Sequence, residues 1–263
     1  SQNVRSAHIE GGEVSGTIDE VYRHCNTKLC TSHFVSSQSA KNRVVSMGEH
    51  PDRVFIIGSP ELDTHKANKD ISLANVLAYY EILWEEFGVF IFHSVTSELK
   101  DLKEQLVNIF TSLKRTKKNF VIIAPNNDPG SEMIFKEINK LPSERFKVIP
   151  SMRFSYFSIL LKNAKLLVGN SSAGVREAPF LCTPSINIGS RQKNRSFSKS
   201  VTNYSYQNDP SLDKLIEKKW GNNHLSDKSF GSGNSSKKFI KILDQKKVWS
   251  LKTQKTFFEK SKS

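Results

Sequence analysis

The chain has 263 residues, 37% of them hydrophobic, and Lys plus Arg exceed Asp plus Glu by 13 charges; this is enough for two ordinary α/β domains, or one and a substantial part of another. Cys25, Cys30 and Cys182 show no CxxC or Cys/His spacing, which argues against a disulfide framework or a zinc site. No run approaches the roughly 18 apolar residues a membrane span needs and Ser1-Gln2-Asn3-Val4-Arg5 lacks a signal-peptide core, so a cytoplasmic protein with no membrane partner is expected.

In chain order, Ala7-His8-Ile9 reads as a strand end, Thr17 to Leu29 as a helix, His33 to Val35 as a strand, Ser37 to Met47 as a helix and Val54 to Ile57 as a third strand. Three strands make a thin sheet, and the chain starts almost directly on the first of them, so the front of this domain is expected to be missing. Thr17-Ile18-Asp19-Glu20 has capping-box spacing, which sets the helix start and places Asp19 and Arg23 at i and i+4 on one face. A linker and a helix from Leu73 to Trp84 follow.

Then come the apolar runs Val89 to Phe92, Phe120 to Ile123, Phe146 to Ile149, Leu166 to Val168 and Ser185 to Ile188. They alternate with helical segments from Glu98 to Leu113, Ser131 to Leu141, Phe154 to Asn163 and Ala173 to Leu181. That rhythm predicts a doubly wound parallel sheet. The expected organisation is a first-domain remainder over 1–70, a linker helix over 71–84, a nucleotide-binding Rossmann-like domain over 85–250 and a basic, mobile tail over 251–263. The basic clusters at Lys114 to Lys118, Lys237-Lys238 and Lys246-Lys247 fall at a helix end or on polar helix faces without interleaved aromatics, which argues against nucleic acid as the partner.

Four places carry candidate chemistry. After Leu166-Leu167-Val168 the small residues Gly169 to Gly174 lead into a helix, a junction that turns backbone N–H groups and the Ser171 and Ser172 hydroxyls toward an anion such as phosphate. An ordinary capped helix is the alternative. In His8-Ile9-Glu10-Gly11-Gly12-Glu13 the Glu10 carboxylate ends a strand at the sheet edge where doubly wound folds bind ligands; otherwise it is solvated or paired with Arg5. His93 ends another strand and either protonates or hydrogen-bonds a leaving phosphate, or is structural. Asn126, in Pro125 to Gly130, reaches a ligand or is simply turn chemistry.

HIEGGEVSGTIDEVYRH from His8 to His24, GNSSAGVREAP from Gly169 to Pro179 and Gly189-Ser190-Arg191-Gln192 together resemble the hydrolysing UDP-N-acetylglucosamine 2-epimerases, sialic-acid-pathway enzymes that include the epimerase part of the bifunctional epimerase/kinase. The similarity also takes in Phe34-Val35, Arg53-Val54, the PNNDPGS turn and Gly231 to Ser235, and Ser15-Gly16-Thr17 favours the hydrolysing branch. It implies a GT-B-like architecture of two Rossmann-like doubly wound domains, the first incomplete here, with a UDP-sugar as substrate, no cofactor or metal, and a homo-oligomer (dimer or tetramer). By position it implies that Ser171 and Ser172 hold diphosphate, that Glu177 takes the ribose hydroxyls and that Asn126, Arg176 and Arg191 hold the nucleotide. Glu10, Asp19, Arg23 and His93 match catalytic or sugar-facing residues. The implied reaction is elimination of UDP followed by hydration to the C2-inverted free sugar. A GT-B glycosyltransferase, or a nucleotide-sugar-binding fragment without turnover, stay open as alternatives.

Overall fold

Short runs of β-branched and aromatic residues make the strands, and in the computed structural model, which describes residues 4–67, 70–206 and 211–259, they assemble into two parallel sheets. These belong to two units, one built from the described residues of 1–67 and 228–263, the other from those of 68–227.

In the first unit β1 (Ala7–Ile9), β2 (Ser32–Val35) and β3 (Val54–Ile56) pair in that order, all parallel. Helices Asp19–Leu29 and Gln38–Ser46 connect them. The second of these presents Ala40 and Val44 to Val35 and Val54, one small apolar cluster. Its start is a regular cap, with Ser37 Oγ accepting from the Ala40 N–H at 3.1 Å. The first starts two residues later than expected: Glu20 accepts from the Ser15 N–H at 2.6 Å rather than closing a box on Thr17. Asp19 accepts from the Thr17 hydroxyl and Arg23 donates to the Glu13 carbonyl, so these two residues of one helix face take different partners.

The expected boundary at 250 also moves. Residues 228–250 pack with the first unit, where Phe239 of helix Ser235–Leu243 lies 4.7 Å from the Phe34 ring and Asp63 accepts from the Ser235 and Ser236 N–H groups at 2.8 Å. A thin sheet with few helices of its own takes this amphipathic helix to cover Phe34. The tail expected to be mobile is bound as well over its described residues: Lys255 donates to Glu49 at 2.8 Å, Phe258 N–H to the Gly48 carbonyl at 2.9 Å and Arg53 to the Lys252 carbonyl at 2.8 Å.

In the second unit β4 (Gly88–Ile91), β5 (Phe120–Ile123), β6 (Phe146–Ile149), β7 (Leu167–Gly169), β8 (Ser185–Ile188) and β9 (Val201–Tyr204) form a parallel sheet in the order β6-β5-β4-β7-β8-β9. Alternate residues serve opposite faces. Phe90 and Ile122 meet Leu106, Ile109 and Phe110 of helix Leu102–Arg115, while Val89, Ile91 and Val121 meet Leu160 and Leu161 of helix Phe154–Asn163. Two-sided burial is why these strands read as unbroken apolar runs. The strand order reverses between β4 and β7, the switch point at which open α/β sheets bind ligands. The helix expected to reach Trp84 closes at Tyr79, because Glu81 turns left-handed (φ 53°) and the Glu81 and Ile82 N–H groups bond back to Ala78 and Leu77.

Candidate functional site

At the switch point Ile91 of β4 is the register partner of Gly169 of β7. Gly169 has φ 143°, and a Cβ there would lie 1.8 Å from the Ile91 carbonyl oxygen, so only glycine lets the two backbones meet this closely. The next residue, Asn170, is 1% exposed and donates its N–H to the same carbonyl at 3.0 Å. Its side-chain amide then clamps His93, accepting from the His93 N–H at 2.8 Å and donating to the His93 carbonyl at 2.7 Å. The Asn170 carbonyl accepts from Arg191 at 3.3 Å and from Gln192 at 3.1 Å, and His93 Nδ1 accepts from the Asn126 N–H at 3.2 Å. Segments following β4, β5, β7 and β8 are thereby tied into one hydrogen-bonded knot.

Burial, and then the nearby Arg191 charge, lower the His93 pKa from 6.5 to about 4, with Asp128 opposing. The imidazole is therefore neutral near pH 7, and since Nδ1 accepts from Asn126, the proton sits on Nε2. Of the two roles expected for His93, hydrogen-bond donation fits the resting state and transfer of a proton does not. An anion arriving beside it would oppose the Arg191 effect.

The helix expected over Ala173 to Leu181 is not continuous. Ser171 Oγ accepts from the Ala173 N–H and caps a 3-10 turn over Ser172–Gly174, and a separate single turn covers Glu177–Phe180. Pro179 has no N–H to offer the Val175 carbonyl, and Arg176 and Glu177 at the start of this turn are buried, at 4% and 6% exposure. One helical turn supplies little dipole. An anion here would rest on turn N–H groups, the half-buried Ser171 and Ser172 hydroxyls and the Arg191 guanidinium rather than on a long helix.

In the first unit Glu10 ends β1 in the left-handed region (φ 63°), which for a residue with a side chain costs on the order of 1 kcal/mol. Its N–H donates to the Phe34 carbonyl at 2.8 Å and its carboxylate accepts from Ser59 at 2.6 Å. The following Gly11-Gly12-Glu13 loop is pinned: Arg43 donates to the Gly12 carbonyl at 2.5 Å, Arg23 to the Glu13 carbonyl at 3.1 Å, and Ser36 to the Glu13 carboxylate. Glu10 and Arg23 thus serve one loop, whereas Asp19 stands exposed at the helix start with Thr17. His8, behind the loop, bonds Thr27 at 3.1 Å, and burial, then His33 and Arg23, lower its pKa to about 4.

Sequence reasoning passed over Asn170, Gln192 and the buried Glu13, although all three stand inside the motifs that drew attention. The available signal was their position directly beside residues that were chosen. Among the described residues no three His, Cys, Asp or Glu side chains gather closely enough to hold a metal ion, and no helix is long and apolar enough to cross a membrane.

A family profile described as UDP-N-acetylglucosamine 2-epimerase matches residues 1–244. A UDP-N-acetylglucosamine 2-epimerase of Neisseria meningitidis is 39% identical over 255 residues, which covers 96% of this chain and 68% of the relative. A UDP-N,N'-diacetylbacillosamine 2-epimerase (hydrolyzing) of Legionella pneumophila is 28% identical over 250 residues, 92% of this chain and 64% of the relative. The chain thus spans about two thirds of the length of these relatives. Among solved structures, the Methanocaldococcus jannaschii UDP-GlcNAc 2-epimerase in complex with UDP-GlcNAc and UDP superposes with a TM-score of 0.76 at 20% identity, covering 91% of this chain and 69% of that one. The Neisseria meningitidis enzyme bound to UDP-GlcNAc gives 0.73 at 18% identity, covering 92% and 70%. These likenesses show the fold, α/β and GT-B-like with parallel sheets.

Proposed function

The chain belongs to the UDP-N-acetylglucosamine 2-epimerase family, and from that premise we propose that the complete protein is a hydrolysing 2-epimerase, which converts a UDP-linked 2-acetamido sugar to the C2-inverted free sugar and UDP. The knot at the switch point carries the proposal, since it brings a neutral His93, the Arg191 guanidinium and the Ser171 turn to the carboxyl ends of adjacent strands. The Legionella relative's name specifies hydrolysis, which supports that branch over simple epimerisation.

In the reading we favour, Ser171 and Ser172 hold the diphosphate, Glu177 the ribose hydroxyls, and Asn126, Arg176 and Arg191 the rest of the nucleotide. The C1–O bond breaks with its electron pair leaving on UDP. C1 becomes oxocarbenium-like, and this acidifies C2–H, which is otherwise a very weak acid. A carboxylate, Glu10 or Asp19, takes the C2 proton to leave an N-acetylglycal, and Arg23 keeps the Glu10 loop in place. Water then adds across the double bond, hydroxyl at C1 and proton at C2 from the opposite face. Stabilising the leaving diphosphate supplies most of the acceleration, so removing one donor among Ser171, Ser172, His93 or Arg191 costs roughly 3 kcal/mol.

UDP binding is assigned to the second unit of this chain and the full reaction to the whole protein. Calorimetric titration of the 263-residue chain with UDP tests the first part: the pair Ser171→Ala and Arg191→Ala should weaken binding by about tenfold or more. No heat at millimolar UDP, or unchanged affinity in the double variant, would overturn it. For the complete enzyme in deuterated water, the free sugar should carry deuterium at C2. A C2-epimerised sugar still bonded to UDP, with no free UDP, would instead mean a non-hydrolysing enzyme.

A further inference from the structure

Away from the knot, the second unit holds a cavity of about 660 Å³, a volume typical of small-molecule sites. We infer that this cavity is a separate binding site for an uncharged, hydroxyl-rich ring of the hexose class. The inference goes beyond the proposed reaction and does not depend on which sugar that reaction uses.

The cavity is walled by the turn Thr96–Glu98 and the start of helix Leu102–Arg115 on one side, and by the loop after β8 and the end of β9 on the other. Glu98 is fixed through both oxygens, one accepting from the Ser190 hydroxyl and the other from Gln105 Nε2 at 3.2 Å. Each of those oxygens retains a lone pair. Asp101 stands at the head of its helix without making a capping bond, so its carboxylate is available to accept from a ligand. Lys193 and Asn194 add donors from the loop, and Tyr206 adds a flat aromatic wall.

Carboxylates that accept from hydroxyls, amide and ammonium groups that donate, and a flat ring for the C–H face make up the chemistry a pyranose needs. The balance of formal charge selects further. Glu98 and Asp101 outnumber Lys193, so the cavity repels phosphate, whereas the Ser171 turn beside Arg191 attracts it. The two places therefore take different ligands.

One loop connects them. Ser190 reaches Glu98 in the cavity wall, and the next two residues, Arg191 and Gln192, reach the Asn170 carbonyl in the knot. A sugar that engages Glu98 and its neighbours holds this loop still and so presents Arg191 in place for a diphosphate. Occupancy of one site should tighten the other, and by the same factor in both directions.

The test titrates the 263-residue chain with glucose, N-acetylglucosamine and N-acetylmannosamine, with glucose 6-phosphate as the anionic counterpart. At least one neutral sugar should bind saturably. Asp101→Ala and Lys193→Ala, both on exposed positions and both checked for an unchanged melt, should each weaken that binding by about tenfold, and Ser171→Ala should leave it unchanged. UDP affinity should rise about fivefold or more with the sugar saturating. Lack of saturable binding by any neutral sugar up to about 100 mM, equal binding of the phosphorylated sugar, or loss in Ser171→Ala with retention in Asp101→Ala would each overturn the inference. The last result would place the sugar at the nucleotide turn. UDP titration without sugar reads the proposed reaction's site separately, so either idea can fail alone.

Discussion

In the second unit Phe90, Phe120, Leu106 and Ile109 lie at 1% exposure or less between the sheet and its helices, whereas helix Asp19–Leu29 of the first unit leaves Val21 at 53%, Tyr22 at 63% and Leu29 at 79% exposure. The second unit is held by apolar burial on both faces of a wide sheet. Among its described residues the first has a small cluster around Val44 and the Phe34–Phe239 contact, and it adds polar ties to them. Glu49, 2% exposed, gathers Lys28 at 2.7 Å, His33 at 3.1 Å and Lys255 at 2.8 Å, so the chain's C-terminal return is fastened to the unit by charge. Two kinds of cohesion predict two kinds of sensitivity.

The largest effect should come from the apolar side. Phe90→Ala empties the centre of the larger core and should cost the second unit about 3–5 kcal/mol, seen as accelerated amide hydrogen exchange in β4, β5 and β7 with the first unit unchanged. Exchange that rises equally in both units would mean that they do not hold together independently.

Glu49→Gln comes next. It leaves the Lys28 and Lys255 ammonium groups without their counter-charge, and since Lys28 is about half exposed the loss should be about 2 kcal/mol, below that for a fully buried pair. Exchange should rise in β2 and in residues 252–258 together. Lys255→Ala should have a smaller effect of the same pattern, about 1 kcal/mol. Protection of the tail that survives both changes would show that Phe257 and Phe258, which pack at Gly48 and His50, hold it without Glu49.

How legible this was in the sequence differs between the same two regions. Phe120–Ile123 and Ser185–Ile188 fall where their apolar patterns place them, because two-sided burial writes itself directly into composition; edge strand Phe146–Ile149 and helix Phe154–Asn163 fall there as well, although both are partly exposed. Edge strand β9, with Thr202 and Asn203 in its middle, carries no such mark, and neither does the short helix Glu61–Ala67. The return of residues 228–259 to the first unit rests on long-range contacts such as Phe34 with Phe239, which no local period records. The same holds at the candidate site. Glycine and serine marked the turn, but the role of Asn170 exists only once β4 and β7 stand side by side.

The smallest predicted difference appears on acidification. His8 and His65 in the first unit and His93 in the second each have a pKa lowered from 6.5 to about 4, in every case chiefly by burial. A folded-state pKa below the unfolded one means that the unfolded chain binds more protons between those values. The stabilisation is therefore whole above about pH 6.5 and is lost as pH falls through about 4, with two histidines acting on the first unit and one on the second. Glu49 adds a lower window. Burial pushes its carboxyl up, but the bonds from His33, Lys255 and Lys28 outweigh it and bring the pKa from 4.5 to about 2, so its contribution disappears as pH falls through that range. Lowering pH should loosen the first unit before the second, most visibly below pH 4.5 where the Glu49 ties begin to release. Thermal melts at successive pH values, with exchange resolved by unit, check this. In Glu49→Gln the lower window should vanish while the histidine window persists; units that loosen in parallel in both variant and parent would show that apolar burial, and not the polar ties, sets the first unit's stability.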